Sequence, residues 1–200
     1  MSYPPGIIAG MDDVEGLTRF DRAVVAAAAV FDGVKVEQWG DPTPCTEWTV
    51  RDLMNHLVGG TRQFISLMSG GGPLDRSLDY LGSDPAGSFR DAAAELRAIF
   101  AADGALERLA PTPFGPQPGQ FLAEMRVTEM MTHGWDLARA TGQSTDLDPE
   151  LAESLIDNFR RMRARTDGPS TNLPFDEEQP VADDAPAADR LAAAAGRRVS

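Results

Sequence analysis

The stretch that decides the fold and the candidate site is Glu129-Met130-Met131-Thr132-His133-Gly134-Trp135-Asp136. It lies inside a segment with strong helical character, residues 119–141, which closes at Gly142. On a helix, side chains four residues apart are neighbours on one face, with Cβ atoms about 5–6 Å apart. Glu129 and His133 can therefore share one metal ion.

The second histidine of the chain, His56, also lies in a helical segment. Its neighbours at helical spacing are apolar or small, so His56 belongs to the apolar stripe of that helix. Because facing helices of a bundle assemble metal sites in their shared core, the pattern predicts one three-ligand site of His56, Glu129 and His133. Two imidazoles and one carboxylate suit zinc, among other divalent ions such as nickel. Three protein ligands would leave a position open for water or substrate.

The same residues also fit purely structural roles without a metal ion, and these alternatives stay open. Arg126, Glu129, His133 and Asp136 share one side of their helix and could form a solvated stripe with an Arg126–Glu129 pair. His56 alone is more typical of a satisfied core histidine.

Residues next to the predicted ligands have candidate roles of their own. Asp136, or a backbone carbonyl, could orient the imidazole of His133 from outside the ligand set. Arg126 is the candidate contact for a substrate carboxylate or a thiol, with a structural pairing to Glu129 as the alternative. Cys45 could be a fourth ligand, a reactive thiol or a small buried hydrophobe, and its position in a Pro-rich loop favours the last.

Hydrophobic periodicity predicts an all-α fold, a bundle of four or five helices with a further short helix near the C-terminus. Thr49 and Asp52 form a capping-box pattern at one helix start, and Pro149 suits the first position of another. The predicted helices span residues 12–32, 49–69, 86–103, 119–141, 149–165 and 189–195. We divide the chain into a helix bundle, residues 11–168, and an irregular acidic extension with a short helix, residues 169–200, packed on the bundle or trailing from it.

Composition excludes several classes of function. Over 200 residues, 31 acidic against 18 basic side chains give a net charge of −13, which argues against nucleic acid and anionic membranes as partners. No apolar run is long enough to span a membrane, and the N-terminus lacks the basic start of a signal peptide. The single cysteine excludes an internal disulfide framework, so we expect a cytoplasmic protein. An exposed apolar helix face would suggest a homodimer.

Two segments resemble the signature regions of the mycothiol-dependent maleylpyruvate isomerase-like proteins, which belong to the DinB-like metal-binding superfamily. They are residues 43–60 (TPCTEWTVRDLMNHLVGG) and residues 126–142 (RVTEMMTHGWDLARATG). A third segment, residues 180–191 (PVADDAPAADRL), is similar to a subgroup described only as metal-binding. The resemblance spans roughly residues 12–197.

The resemblance implies a DinB-like four-helix bundle that holds a divalent ion, usually zinc, through His56, Glu129 and His133. It also implies mycothiol as a co-substrate, whose thiolate the metal would hold as a nucleophile toward a small electrophile. The chain after His133 is short, so we expect the separate C-terminal domain of the full isomerase to be absent or much reduced.

Two functions follow as hypotheses. The first is a metal-dependent thiol S-transferase or isomerase that uses mycothiol, and we lean towards an enzyme. The alternative is a non-catalytic metal-binding or stress-response protein with the same bundle. A DNA-repair role, which the name of the superfamily suggests, is disfavoured by the negative charge.

Overall fold

The described part of the chain is almost entirely helical. The structure, a computed structural model, describes residues 13–112, 115–165 and 176–199. The six α-helices in these ranges are α1 (Asp13–Gly33), α2 (Val50–Met68), α3 (Pro85–Phe100), α4 (Gly119–Thr141), α5 (Pro149–Arg165) and α6 (Ala187–Ala194). A 3-10 turn at Val36–Gln38 and a two-residue antiparallel ribbon, β1 (Leu109–Ala110) with β2 (Gln117–Pro118), complete the regular structure of these ranges. The predicted all-α bundle is confirmed.

The helix starts follow the local chemistry of the sequence. The backbone N–H of Asp52 donates to Thr49 Oγ1, and the Asp52 carboxylate accepts from the Thr49 N–H, so the predicted capping box opens α2. Asp84 caps α3, whose first residue is Pro85. Pro149 is the first residue of α5, as predicted.

Helix α4 is the centre of the bundle. It packs against α1 and α2, and α3 packs against the same two helices, which gives four helices around one core. From Met130 to Ala138 every residue of α4 is buried. A helix covered on nearly all sides has no wide polar face, and polar side chains on it must find partners inside the protein.

Aromatic pairs fill the layers between α1 and α3. Phe20 and Phe100 meet edge to face with ring centroids 5.6 Å apart. Phe31 and Phe89 stack at 4.5 Å. Such pairs add to the free energy gained by burying their area, and they join α1 to α3, whereas the candidate ligands lie on α2 and α4.

The C-terminal segment is attached to this bundle. Helix α6 packs on α5 and α4, and its predicted existence is confirmed. The carboxylate of Asp189 accepts hydrogen bonds from Trp135 Nε1 at 2.7 Å and from Thr145 Oγ1 at 3.0 Å. The predicted domain boundary at residues 168–169 lies outside the described residues. None of the described helices is both long and apolar enough to cross a membrane.

Candidate metal centre

Helices α2 and α4 bring the three predicted ligands together. His56 Nε2, on α2, lies 3.6 Å from Glu129 Oε2, on α4. The imidazole rings of His56 and His133 are 5.0 Å apart between centroids and nearly perpendicular. The pairing of two helices thus joins residues separated by more than 70 positions in the sequence.

The separation of His56 and Glu129 fits two ligands of one metal ion better than a hydrogen bond, although the ligand atoms of all three residues do not lie within 4.8 Å of one another among the described residues. Ligand atoms about 2.0–2.1 Å from a tetrahedral ion lie about 3.3 Å from each other, and imidazoles on one ion have centroids about 5 Å apart. A His56–Glu129 distance of 3.6 Å is longer than a hydrogen bond. His56 Nε2 is buried and has no hydrogen-bond partner among the described residues. A buried nitrogen without a partner is costly unless a group such as a metal ion binds it.

Arg126 supports Glu129 from inside the bundle. Its side chain is fully buried; Nη1 donates to Glu129 Oε2 at 2.6 Å, and Nη2 donates to the carbonyl of Leu57 at 3.3 Å. Gly60 on α2 makes room for it, because a Cβ at that position would lie 2.7 Å from Nη1. The Arg126–Glu129 pair is therefore held in one geometry by the packing of α2 on α4.

Glu129 is ionised in this environment. Burial by itself would raise the pKa of the carboxyl, but the contact with His56 and the charge of Arg126 outweigh it and lower the pKa of Glu129 to about 2. The side chain stays a quarter exposed. An ionised carboxylate at the edge of solvent is a competent ligand for a divalent ion.

Trp48 forms one wall of the candidate site. Its ring lies 4.5 Å from the ring of His56 and 5.9 Å from that of His133, between centroids. The indole comes from the loop before α2, which is held by hydrogen bonds from Thr43 Oγ1 to the carbonyls of Cys45 and Trp48. His56 and Glu129 each keep about a quarter of their side chains exposed, so the site borders solvent beside this wall.

Behind His133 lies a second polar group, which we call the inner group: Cys45, Asp136 and Arg197. His133 Nδ1 is 3.0 Å from Asp136 Oδ2, which leaves Nε2 as the nitrogen available to a metal ion. Asp136 is fully buried, and Arg197 contacts both its oxygens, Nε with Oδ1 at 3.2 Å and Nη2 with Oδ2 at 2.9 Å. Burial would raise the pKa of Asp136, but hydrogen bonds from His133 and Arg197 lower it.

The inner group also has the composition of a metal site. Cys45 Sγ, His133 Nδ1 and a carboxylate oxygen of Asp136 all lie within 4.8 Å of one another. Its chemistry disfavours a cation, because the guanidinium of Arg197 already neutralises Asp136. Burial, together with the charge of Asp136, raises the pKa of Cys45 to about 12, so the thiol stays protonated and is a poor ligand and nucleophile.

The structure thus places each residue that the sequence singled out. It makes His56, Glu129 and His133 neighbours, with their three ligand atoms not all within 4.8 Å of one another, and it sets Asp136 behind His133 where an orienting partner would lie. Arg126 and Asp136 are fully buried and His133 nearly so, so the solvated-stripe alternative is wrong, although the Arg126–Glu129 pair exists as expected. A contact of Arg126 with substrate or thiol stays a prediction; its observed partners favour the structural alternative.

Sequence reasoning missed two contributors to the site. Arg197 lies 61 positions after Asp136, in a segment without periodicity, and no spacing rule links the two. Trp48 contacts both imidazoles from an irregular loop, and the path of that loop cannot be read from a spacing. Gly60 was visible as a small residue one turn after His56, which is a signal that something large approaches α2 there.

Comparison with known proteins gives one family and several relatives. The sequence profile described as "Mycothiol maleylpyruvate isomerase N-terminal domain" matches residues 20–138. An uncharacterized protein of Mycobacterium tuberculosis is 41% identical over 189 residues, which cover 93% of this chain and 100% of the relative. A second uncharacterized protein of the same organism is 29% identical over 124 residues, 53% of this chain and 48% of that protein.

Solved structures extend the comparison to the fold. The crystal structure of a mycothiol-dependent maleylpyruvate isomerase superposes with a TM-score of 0.59 at 16% identity, covering 74% of this chain and 70% of the isomerase. A histidine-to-alanine mutant of a mycothiol-dependent maleylpyruvate isomerase superposes with a TM-score of 0.60 over the same shares. At this identity the likeness establishes a shared fold.

Proposed function

This chain belongs to the family of the mycothiol maleylpyruvate isomerase N-terminal domain, and we propose that it binds a divalent metal ion, zinc foremost, through His56, Glu129 and His133. We further propose that the ion serves a thiol S-transferase or isomerase reaction between mycothiol and a small electrophile. The observation that carries the proposal is the unpartnered, buried Nε2 of His56, 3.6 Å from an ionised Glu129 and beside the ring of His133.

The residues around the ligands have separable tasks in this proposal. A bound divalent ion would supply the positive charge that keeps a thiol deprotonated at neutral pH. Glu129 presents a full negative charge to that position, and Arg126 holds its carboxylate in place from within. Asp136 accepts from His133 Nδ1 and so directs the lone pair of Nε2 outward.

Trp48 and the exposed edges of His56 and Glu129 define where reactants would enter. The indole shields the two imidazoles on one side, while the partial exposure of His56 and Glu129 leaves a route for a small thiol and an electrophile. Three protein ligands leave a coordination position for such a molecule, which is the arrangement of catalytic rather than structural zinc sites.

The experiment has a binding arm and a turnover arm. Metal-free protein is titrated with zinc, and the loaded protein is then assayed with mycothiol and a panel of electrophiles that includes maleylpyruvate. We expect one zinc per chain and consumption of thiol or isomerisation of one electrophile. His56→Ala should lose both, whereas Arg139→Ala, an exposed position on the same helix as two of the ligands, should lose neither.

The two hypotheses differ in the second arm. Zinc binding that depends on His56, with no reaction of any electrophile, would favour the non-catalytic metal-binding protein. Absence of zinc binding in the wild type would contradict the proposal as a whole.

A further inference from the structure

The end of α6 turns Arg197 back into the bundle. Gly196 follows the helix with a φ of 90°, a left-handed conformation that side chains other than glycine rarely adopt. Its N–H donates to the carbonyl of Ala193 at 3.0 Å, and the N–H of Arg197 donates to that of Ala192 at 2.9 Å. This turn brings a residue at the very end of the described chain towards α4.

Arg197 holds both oxygens of one carboxylate with one edge of its guanidinium. Nε and Nη2 donate to the two oxygens of Asp136, and Nη1 donates to the carbonyl of Ala195 at 2.8 Å, which fixes the fork from behind. The side chain of Arg197 is only 13% exposed and that of Asp136 is fully buried. A two-point contact of this kind sets the plane of the carboxylate as well as its position.

Asp136 Oδ2 is the junction of the inner group. It lies 2.9 Å from Arg197 Nη2, 3.0 Å from His133 Nδ1 and 3.2 Å from Cys45 Sγ. With the carboxylate ionised and unable to rotate, His133 must place its N–H on Nδ1 and its lone pair on Nε2. A metal ion on Nε2 requires the Nδ1–H tautomer of His133. Arg197 favours that tautomer through Asp136, without touching His133 itself.

We infer that Arg197 is a positioning residue for the ligand imidazole of His133, so that the C-terminal segment completes the candidate metal centre. The inference rests on the proposed function, since it gives a role to a residue that touches neither reactant nor ion. The hydrogen bond from Trp135 to Asp189 secures the same segment to α4 at the residue before Asp136. Residues that contact a metal ligand directly are worth about 10–100-fold in metal affinity, and Arg197 acts one contact further out, through Asp136.

The test compares two arginines of the C-terminal segment. Arg197→Met removes the charge and the fork with little change in volume, and Arg197→Lys keeps the charge without the fork. Arg190→Met is the matched control, because Arg190 contacts Glu153 and the carbonyl of Ala185 and does not touch the inner group. Each variant of the 200-residue chain is measured for zinc affinity by chelator competition, for thermal stability, and for the tautomer of each histidine by 15N NMR without metal.

We expect Arg197→Met to bind zinc up to about tenfold more weakly than wild type, the lower end of the range for direct partners of a ligand, and to shift His133 away from the pure Nδ1–H tautomer. Arg190→Met should match wild type in both. A lower melting temperature in Arg197→Met with unchanged zinc affinity and tautomer would overturn the inference, because it would show a purely structural contact. If Arg197→Met does not fold, Arg197→Lys decides: weaker binding supports the inference, and wild-type binding overturns it.

A failure of the proposed function is visible separately. If wild-type protein binds no zinc, the metal centre itself is refuted, and the metal-free NMR spectra then decide the positioning role alone. A tautomer change of His133 in either Arg197 variant supports that role, and its absence from both overturns it.

Discussion

His133 lies between two polar groups that differ in one decisive respect. On its outer side, His56 and Glu129 approach without forming a hydrogen bond, and His56 Nε2 has no partner among the described residues. On its inner side, Asp136 is bonded on both oxygens, and Arg197 balances its charge. The inner group has ligand atoms close enough for a metal ion. However, both oxygens of Asp136 already accept hydrogen bonds from Arg197, and Oδ2 also contacts His133 Nδ1. Unsatisfied lone pairs, more than proximity of ligand atoms, mark the candidate metal centre.

Substitution of His133 should have the largest effect on zinc affinity. This residue is a predicted ligand beside His56 and Glu129, and it also contacts Asp136 of the inner group. His133→Ala removes a ligand outright, so zinc affinity should fall by more than the ~10–100-fold that loss of an outer partner costs. Asp136 keeps Arg197 as its counter-charge, so the metal-free variant should still fold. Zinc competition and circular dichroism measure the two quantities. Retention of wild-type affinity would show that the ion, if any, binds elsewhere.

The close approach of α2 and α4 can be broken at Gly60. An alanine inside a helix usually stabilises by about 1 kcal/mol relative to glycine, but here its Cβ would lie 2.7 Å from Arg126 Nη1. We expect Gly60→Ala to lower the free energy of unfolding by about 1–2 kcal/mol and to weaken zinc binding by displacing Glu129. Urea denaturation measures the first effect and chelator competition the second.

Gly16→Ala is the matched control for that substitution. It is also helical, and the nearest atom to its Cβ would be Leu106 Cδ1 at 3.9 Å, so it should raise stability. If both variants gain stability, the packing account of the Arg126–Glu129 pair is wrong.

The inner thiol should give the smallest effect. Cys45→Ser keeps a donor toward Asp136 and removes the sulfur, so zinc affinity should stay within about threefold and stability within about 1–1.5 kcal/mol of wild type. In the folded wild type, Cys45 should react slowly with thiolate-selective reagents near neutral pH, because burial beside Asp136 raises its pKa to about 12. A large loss of zinc affinity in this variant would show that the ion binds at the inner group and not at His56 and Glu129.

Much of the bundle could be predicted because its signals are local. The limits of α4 and the starts of α2 and α5 follow from glycine, proline and capping residues within a few positions of each helix end. The Glu129–His133 spacing likewise specifies a shared face without any knowledge of the fold. What pairs that face with His56 is the packing of α2 on α4, which the sequence pattern could only suggest.

The contacts that could not be predicted are those made by irregular segments. The ribbon of β1 and β2 consists of two residues on each side, too short for any alternation to be visible. Trp48 and Arg197 reach His133 and its partner from a loop and from the turn after α6. Their positions depend on tertiary packing, so no periodicity in the sequence encodes them.

X-ray absorption at the zinc edge of the loaded wild-type protein tests the central claim most directly, because the two sides of His133 offer different ligand atoms. Binding by His56, Glu129 and His133 predicts a shell of nitrogen and oxygen at about 2.0–2.1 Å, with the outer-shell scattering of two imidazoles and no sulfur. A sulfur neighbour at about 2.3 Å would place the ion against Cys45, in the inner group, and would contradict the account.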